Sequence, residues 1–248
     1  MHKVIIITGA SRGIGAATAL LAAERGYAVG LNYRRSADEA AQVVARIQRA
    51  GGVALAVQAD VAIESQVVEL FERVRHSLGA PTALVNNAAI LEQQMPLSTM
   101  SAERMTRVLL TNVLGSMLCA REAVKHMSTR SGYQGGAIVN VSSRAAQLGS
   151  PNEYLDYAAS KGAIDALTIG LAKEVASEGI RVNAVRPGLI HTSMHASGGE
   201  PGRVLRMQQS IPLQRGGEPD EVARAALWLL SDEASYVTGA LLDVAGGR

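Results

Sequence analysis

Alternation of two periodicities constrains this chain more than any other feature. Val4 to Ile7, Ala28 to Leu31, Val53 to Val57, Ala83 to Val85, Ala137 to Val141 and Arg181 to Val185 are short β-branched or apolar runs bounded by turn residues. Each reads as a buried strand. Between them lie segments with helical spacing, Ile14 to Arg25, Ala37 to Ala50, Ser65 to Leu78, Ala102 to Met127 and Tyr157 to Ser177. Strands separated by helices predict an α/β fold, a doubly wound parallel sheet with helices on both faces. A late helix, Asp220 to Leu230 with Pro219 at its first turn, precedes Leu241 to Val244, a seventh strand. Ser36 followed by Glu39 predicts a capping box at the second helix, and Gly26, Gly51 and Gly79 stand where helices end. No repeat, linker or low-complexity tract divides the 248 residues, which suit one domain, 1–248. Gly188 to Gly217, rich in Gly, Ser, Pro and Gln, is the one long irregular stretch, and a loop of that length predicts a flap over a substrate.

Composition then removes whole classes of partner. With 24 basic and 22 acidic residues interspersed, the formal charge of +2 leaves no block suited to nucleic acid or to an anionic membrane surface. A chain that is 48% hydrophobic can bury a core without staples. Its single cysteine, Cys119, excludes an intramolecular disulfide and fits a reducing cytoplasm. No apolar run reaches the length of a membrane span, and Val4 to Ile7 is too short for a signal peptide core.

Directly after the first strand comes Thr8-Gly9-Ala10-Ser11-Arg12-Gly13-Ile14-Gly15, leading into the first helix. Glycines there permit a tight turn and close approach to a pyrophosphate, and the helix N-terminus favours negative charge. The spacing differs from G-x-G-x-x-G, but strand, glycine turn and helix occur in the order a dinucleotide site requires. Such a site usually carries an acid near the end of the second strand for the ribose hydroxyls. Here the strand runs out through Asn32-Tyr33-Arg34-Arg35. With Arg12, these guanidinium groups favour a 2′-phosphate and hence NADP over NAD, although NAD stays open.

Tyr157 and Lys161 lie four residues apart at the start of a helical segment, on one face. Hydride reduction of a carbonyl needs a proton donor for the nascent alkoxide. An ammonium beside a phenol, whose ordinary pKa is roughly 10, favours the phenolate and so lowers that value.

The glycine turn, Asn86-Asn87-Ala88-Ala89, Asn112, Ser142-Ser143, Tyr157 with Lys161 and Pro187-Gly188, in this order, resemble a short-chain dehydrogenase/reductase along essentially the whole chain. The resemblance implies a Rossmann-type domain of seven parallel strands in the order 3-2-1-4-5-6-7 and a homotetramer. It implies Tyr157 as general acid or base, Lys161 on the nicotinamide ribose, Ser143 on the substrate oxygen and Asn112 in a proton relay. Asp60 and Val61 then meet adenine, Asn86 to Ala88 line the cofactor, and Pro187, Gly188, Ile190 and Thr192 hold the carboxamide. Two departures stand out: Ala89 replaces the usual last glycine, and the connection from Ser143 to Tyr157 is one residue longer than usual. The longer connection leaves Ser142 as an alternative hydroxyl.

His191 and His195 have an i, i+4 spacing but no third ligand, so no metal is expected. Trp228 with Leu227, Leu229 and Leu230 reads as core or subunit interface. The expectation is therefore an oxidoreductase moving a hydride between NADP(H) and a secondary alcohol or ketone, a small molecule. A 3-oxoacyl thioester reductase and a sugar or polyol dehydrogenase both fit the resemblance. The rival class, a non-catalytic NADP redox sensor, has no need of Asn112, Ser143, Tyr157 and Lys161.

Overall fold

The computed structural model describes residues 3–248. Seven strands, β1 (Lys3–Ile7), β2 (Tyr27–Tyr33), β3 (Ala54–Gln58), β4 (Ala83–Asn86), β5 (Gly136–Val141), β6 (Ile180–Pro187) and β7 (Leu241–Val244), form one sheet in the order β3-β2-β1-β4-β5-β6-β7. Every pair is parallel. This is the strand order that the resemblance implies.

Period-two alternation explains how near-continuous apolar strands feed two cores. Ile5 and Ile7 of β1, with Val29, Leu31, Val85, Val139 and Val185, pack under α1 (Gly13–Glu24), α2 (Ala37–Arg49) and α10 (Pro219–Leu230). Val4 and Ile6, with Leu84, Ile138 and Val182, face α3 (Glu64–Leu78), α5 (Gly115–Met127) and α7 (Leu155–Val175). Phe71 of α3 is fully buried there.

The expected helix from Ala102 to Met127 is continuous in extent but not in pitch. It comprises α4 (Ala102–Leu109), a π turn (Leu110–Leu114) and α5. Such a bulge adds a residue to the turn and is frequent at functional sites. Asn112 lies in it, buried.

Two local expectations are corrected. The Ser36 side chain caps nothing, because its backbone, at φ −84° and ψ 69°, lies outside the extended region in which a capping hydroxyl reaches the first N–H groups. A capping box forms instead at α10, where the Glu218 N–H donates to the Glu221 carboxylate at 2.8 Å. The stretch from Gly188 to Gly217 is not irregular throughout. It contains α8 (Met194–Ser197) and α9 (Arg203–Met207), and Ile190 and Gly217 form a parallel bridge at its base. The short helix α6 (Ala145–Leu148) follows β5.

Candidate active site

The predicted residues gather at the carboxyl ends of the strands, around β1 and β4, where the strand order reverses. Open α/β sheets bind ligands at that crevice. Thr8, at the end of β1, accepts through its hydroxyl from the N–H groups of Asn87 and Ala88, both at 3.0 Å. The Asn87 amide donates back to the Thr8 and Gly9 carbonyls at 2.9 and 3.0 Å. The two loops are thereby stitched so closely that only glycine fits. A Cβ on Gly9, at φ 62°, would lie 2.9 Å from the Ala88 Cα, and one on Gly15 would lie 2.6 Å from the Asn87 amide nitrogen. No side chain caps the first N–H groups of α1, and its first turn carries no acid.

A cavity of about 450 Å³ opens above this turn. Gly9, Ser11, Arg12, Gly13 and Ile14 line it from β1, and Tyr33, Arg34 and Arg35 from the end of β2. Asp60, Val61, Asn87, Ala88 and Thr192, also predicted, line its remaining wall. Near the end of β2, Asn32 is turned inward. Its Oδ1 accepts from the Gly9 N–H at 3.2 Å and its amide donates to the Ala59 carbonyl at 2.9 Å. Asp60 sits 3.6 Å from the Arg34 guanidinium.

A second cavity, of about 440 Å³, shares Ile14, Asn87 and Thr192 with the first. Ser142, Ser143, Tyr157, Lys161, Pro187, Gly188 and Ile190 line it. Gly15 and Asn112 line neither cavity. The Asn112 amide instead bridges the Ile90 main chain, accepting at 2.8 Å and donating at 3.1 Å, and donates to the Ser160 hydroxyl at 3.1 Å. Ser160 in turn donates to the Tyr157 carbonyl at 2.6 Å, so Asn112 braces the helix that carries Tyr157.

The two serines part company. The Ser142 hydroxyl is buried and donates to Asp165 at 2.6 Å, inside the protein. The Ser143 hydroxyl is the group that draws the Tyr157 phenol toward its ionised form. Between Ser143 and Tyr157 the turn after α6 is tight, with Gly149, Ser150 and Asn152 at left-handed φ values of 75°, 47° and 61°.

The electrostatic expectation for the tyrosine is reversed. The Lys161 ammonium lies 5.5 Å from the Tyr157 ring centroid but donates to the Val141 carbonyl at 2.7 Å. Burial pushes the phenol up to about 12, against the pull of Ser143, and pushes Lys161 down to about 8, against Asp165. Loss of water around each group outweighs the pull of Ser143 on the one and of Asp165 on the other. His195 Nε2 lies 3.0 Å from the Ile190 carbonyl, and among the described residues no group of His, Cys, Asp and Glu is arranged to hold a metal ion. No helix among the described residues is long and apolar enough to cross a membrane.

The sequence reading missed Thr8 as the loop clamp, and it missed Arg203 and Arg248 at the second cavity, because none stands in a local pattern with Tyr157.

Known proteins agree with this architecture. The family model described as enoyl-(acyl carrier protein) reductase matches residues 9–248. An uncharacterised oxidoreductase of Escherichia coli, YgfF, is 58% identical over 245 residues, covering 99% of each chain. The 3β-hydroxysteroid dehydrogenase 1 of Eggerthella lenta is 41% identical over 246 residues, covering 99% of this chain and 93% of that one. A mutant of a Serratia marcescens short-chain dehydrogenase/reductase superposes with a TM-score of 0.91 at 32% identity, over 99% of this chain and 97% of that one. With its sheet order, its strand-end crevice and its full-length relatives in accord, the chain belongs to the short-chain dehydrogenase/reductase family, oxidoreductases that act on alcohol and ketone groups.

Proposed function

We propose that this enzyme moves a hydride between NADP(H), in preference to NAD(H), and a secondary alcohol or its ketone, with Tyr157 handling the proton. The observation that carries the reading is the continuity of the two cavities through Ile14, Asn87 and Thr192: an arginine-rimmed end for a phosphate and a Tyr157 end for a carbonyl. When bound, the coenzyme supplies the hydride donor or acceptor that no side chain can provide.

The glycine turn fits a dinucleotide, since its uncapped helix start and close-packed backbone suit a pyrophosphate. Arg12, Arg34 and Arg35 are assigned to the 2′-phosphate and Asp60 and Val61 to adenine. Pro187, Gly188, Ile190 and Thr192 are assigned to the carboxamide and Lys161 to the ribose next to it. Ser143 donates to the substrate oxygen, and the Tyr157 hydroxyl gives its proton to the oxygen as alkoxide character develops. Burial holds the phenol in its protonated form, the form from which it acts as the acid in carbonyl reduction. Asn112, which braces Tyr157 through Ser160, is assigned to the relay that returns the proton by way of Lys161.

We read the chain as one domain, because every strand joins one sheet. We assign it to the cytoplasm, since its lone cysteine is buried and free. A homotetramer is supported by Leu109, Leu110, Leu114 and Met117, which leave apolar surface exposed along α4, the π turn and α5. Light scattering gives the mass directly.

The decisive experiment follows NADPH oxidation over ketones, 3-oxoacyl thioesters and aldoses in wild type and in Tyr157→Phe. Turnover that the substitution abolishes, with NADPH affinity retained, is expected. Tight NADPH binding without turnover on any class would move the protein to the redox-sensor reading.

A further inference from the structure

Charge is unevenly satisfied around Tyr157. Arg144, Lys161, Arg203 and Arg248 line the second cavity, against a single acid, Glu153. That acid is already engaged: Arg203 grips it through Nη1 at 2.9 Å and Nη2 at 2.5 Å. Arg203 also donates to Glu200 at 3.0 Å. Arg144 holds Asp243 at 2.8 Å, and through Nε it holds the main-chain oxygen of Arg248 at 2.7 Å. Lys161 is committed to the Val141 carbonyl.

Arg248 differs from the others. Among the described residues its guanidinium makes no ion pair and donates no hydrogen bond, although it is only partly exposed. Burial draws its pKa below the ordinary arginine value, repulsion from Arg203 and Arg144 adds to that, and the pull of Glu153, itself clamped by Arg203, only partly opposes them. Holding a partly desolvated cation beside two others is unfavourable, and an anion entering the cavity relieves that cost. The remaining wall includes Leu91, Leu148, Leu189 and Met194, a hydrocarbon surface.

We propose that Arg248 is a substrate-recognition residue and that the substrate is an oxo or hydroxy carboxylic acid, its carboxylate taken by the Arg248 guanidinium while its carbonyl or hydroxyl meets Ser143 and Tyr157. The planar guanidinium fork matches a carboxylate bidentately. The cavity of about 440 Å³ suits a compact acid whose chain lies against the leucines. This inference rests on the redox reading for the identity of the reacting group, but the recognition of the anion can be measured without turnover.

The test is calorimetric titration of 4-oxopentanoate and of its methyl ester, which differ by the charge and one methyl group at the acid end. Titrations use wild type, Arg248→Gln and, as a control, Arg224→Gln, which removes an exposed charge from α10. Wild type and Arg224→Gln should bind the acid about tenfold or more tightly than the ester, the scale of a charge-assisted hydrogen bond. In Arg248→Gln that ratio should fall to near one. Equal affinities for acid and ester in wild type, or an acid preference that survives Arg248→Gln, overturn the proposal. Turnover of either compound with NADPH is scored separately. Acid binding that depends on Arg248, with no turnover of this acid or of any class in the wider panel, upholds the recognition residue and refutes the redox reading, whereas ester turnover without acid preference does the reverse.

Discussion

Asp156, the residue before Tyr157, is held by Arg104 through two hydrogen bonds, Nε to Oδ2 at 2.8 Å and Nη2 to Oδ1 at 3.2 Å. Both side chains are buried, at 5% and 4% exposure, and the same carboxylate accepts from the Tyr157 N–H at 2.9 Å. Arg104 also donates to the Gln93 carbonyl at 2.5 Å. One ion pair thus ties α4 and the segment after β4 to the first turn of the helix that carries Tyr157. Arg104→Met strands a buried carboxylate, so urea unfolding should show a loss of about 3–5 kcal/mol. The double variant Arg104→Met/Asp156→Leu should recover a good part of that loss; a double variant no more stable than the single one would mean that the pair's charge is not what matters.

Ser142 and Ser143 should separate cleanly by assay. Ser143→Ala should cut kcat/KM by about tenfold or more, because a donor to the substrate oxygen is lost, with little change in unfolding. Ser142→Ala removes a buried donor from Asp165 and should cost about 1–3 kcal/mol of stability. If the larger catalytic loss followed Ser142→Ala without destabilisation, the hydroxyl assignment would be inverted.

Coenzyme choice tests the arginine rim. Arg34 is 41% exposed and lies 3.6 Å from Asp60, so Arg34→Gln avoids setting a new acid against that carboxylate. The ratio of kcat/KM for NADPH to that for NADH should fall by about tenfold, a charge-assisted phosphate contact being the larger part of the discrimination. A wild type that already prefers NADH would refute the 2′-phosphate assignment.

Buried Lys161 should leave a signature in stability against pH. Its pKa falls from 10.5 in the ordinary chain to about 8 in the fold, so below pH 8 the folded state carries a desolvated ammonium. Between pH 8 and 10.5 the unfolded chain binds more protons than the folded one, and stability contributed by this group rises with pH. At about 1.4 kcal/mol per unit the gain is on the order of 3 kcal/mol. Tyr157 acts oppositely and later: unfolded it ionises near 10, folded only near 12, so its contribution falls over that range. Chemical denaturation of wild type and Lys161→Met from pH 7 to 10 should show wild type gaining relative to the variant as pH rises; parallel curves would exclude a depressed lysine.

The sheet was legible because the strands are short β-branched or apolar runs, buried along nearly all of β1, β2, β4, β5 and β6, and each intervening segment has helical spacing. The glycine turn and the Tyr157–Lys161 pair were legible for a related reason: each is a local pattern in which spacing alone fixes direction. Ser36 shows the limit of such patterns. Its capping signature is present, yet the turn before α2 takes a backbone conformation that the short motif does not encode. The choice between Ser143 and Ser142 was open in the sequence, since which of two adjacent hydroxyls is tied up inside depends on where β5 ends and what α7 offers there.

Sequence by itself determined the α/β class, the strand-turn-helix cradle and the candidate chemical residues, all consequences of periodicity and short-range spacing. Tertiary structure decided what is a matter of solvent and of distant neighbours. It turned Asn32 inward, bound Ser142 to Asp165, paired Arg104 with Asp156, and left the Arg248 guanidinium without an ion pair among the described residues. It also reversed the expected shift of Tyr157, because desolvation depends on everything packed around the ring and not on the lysine one helical turn away.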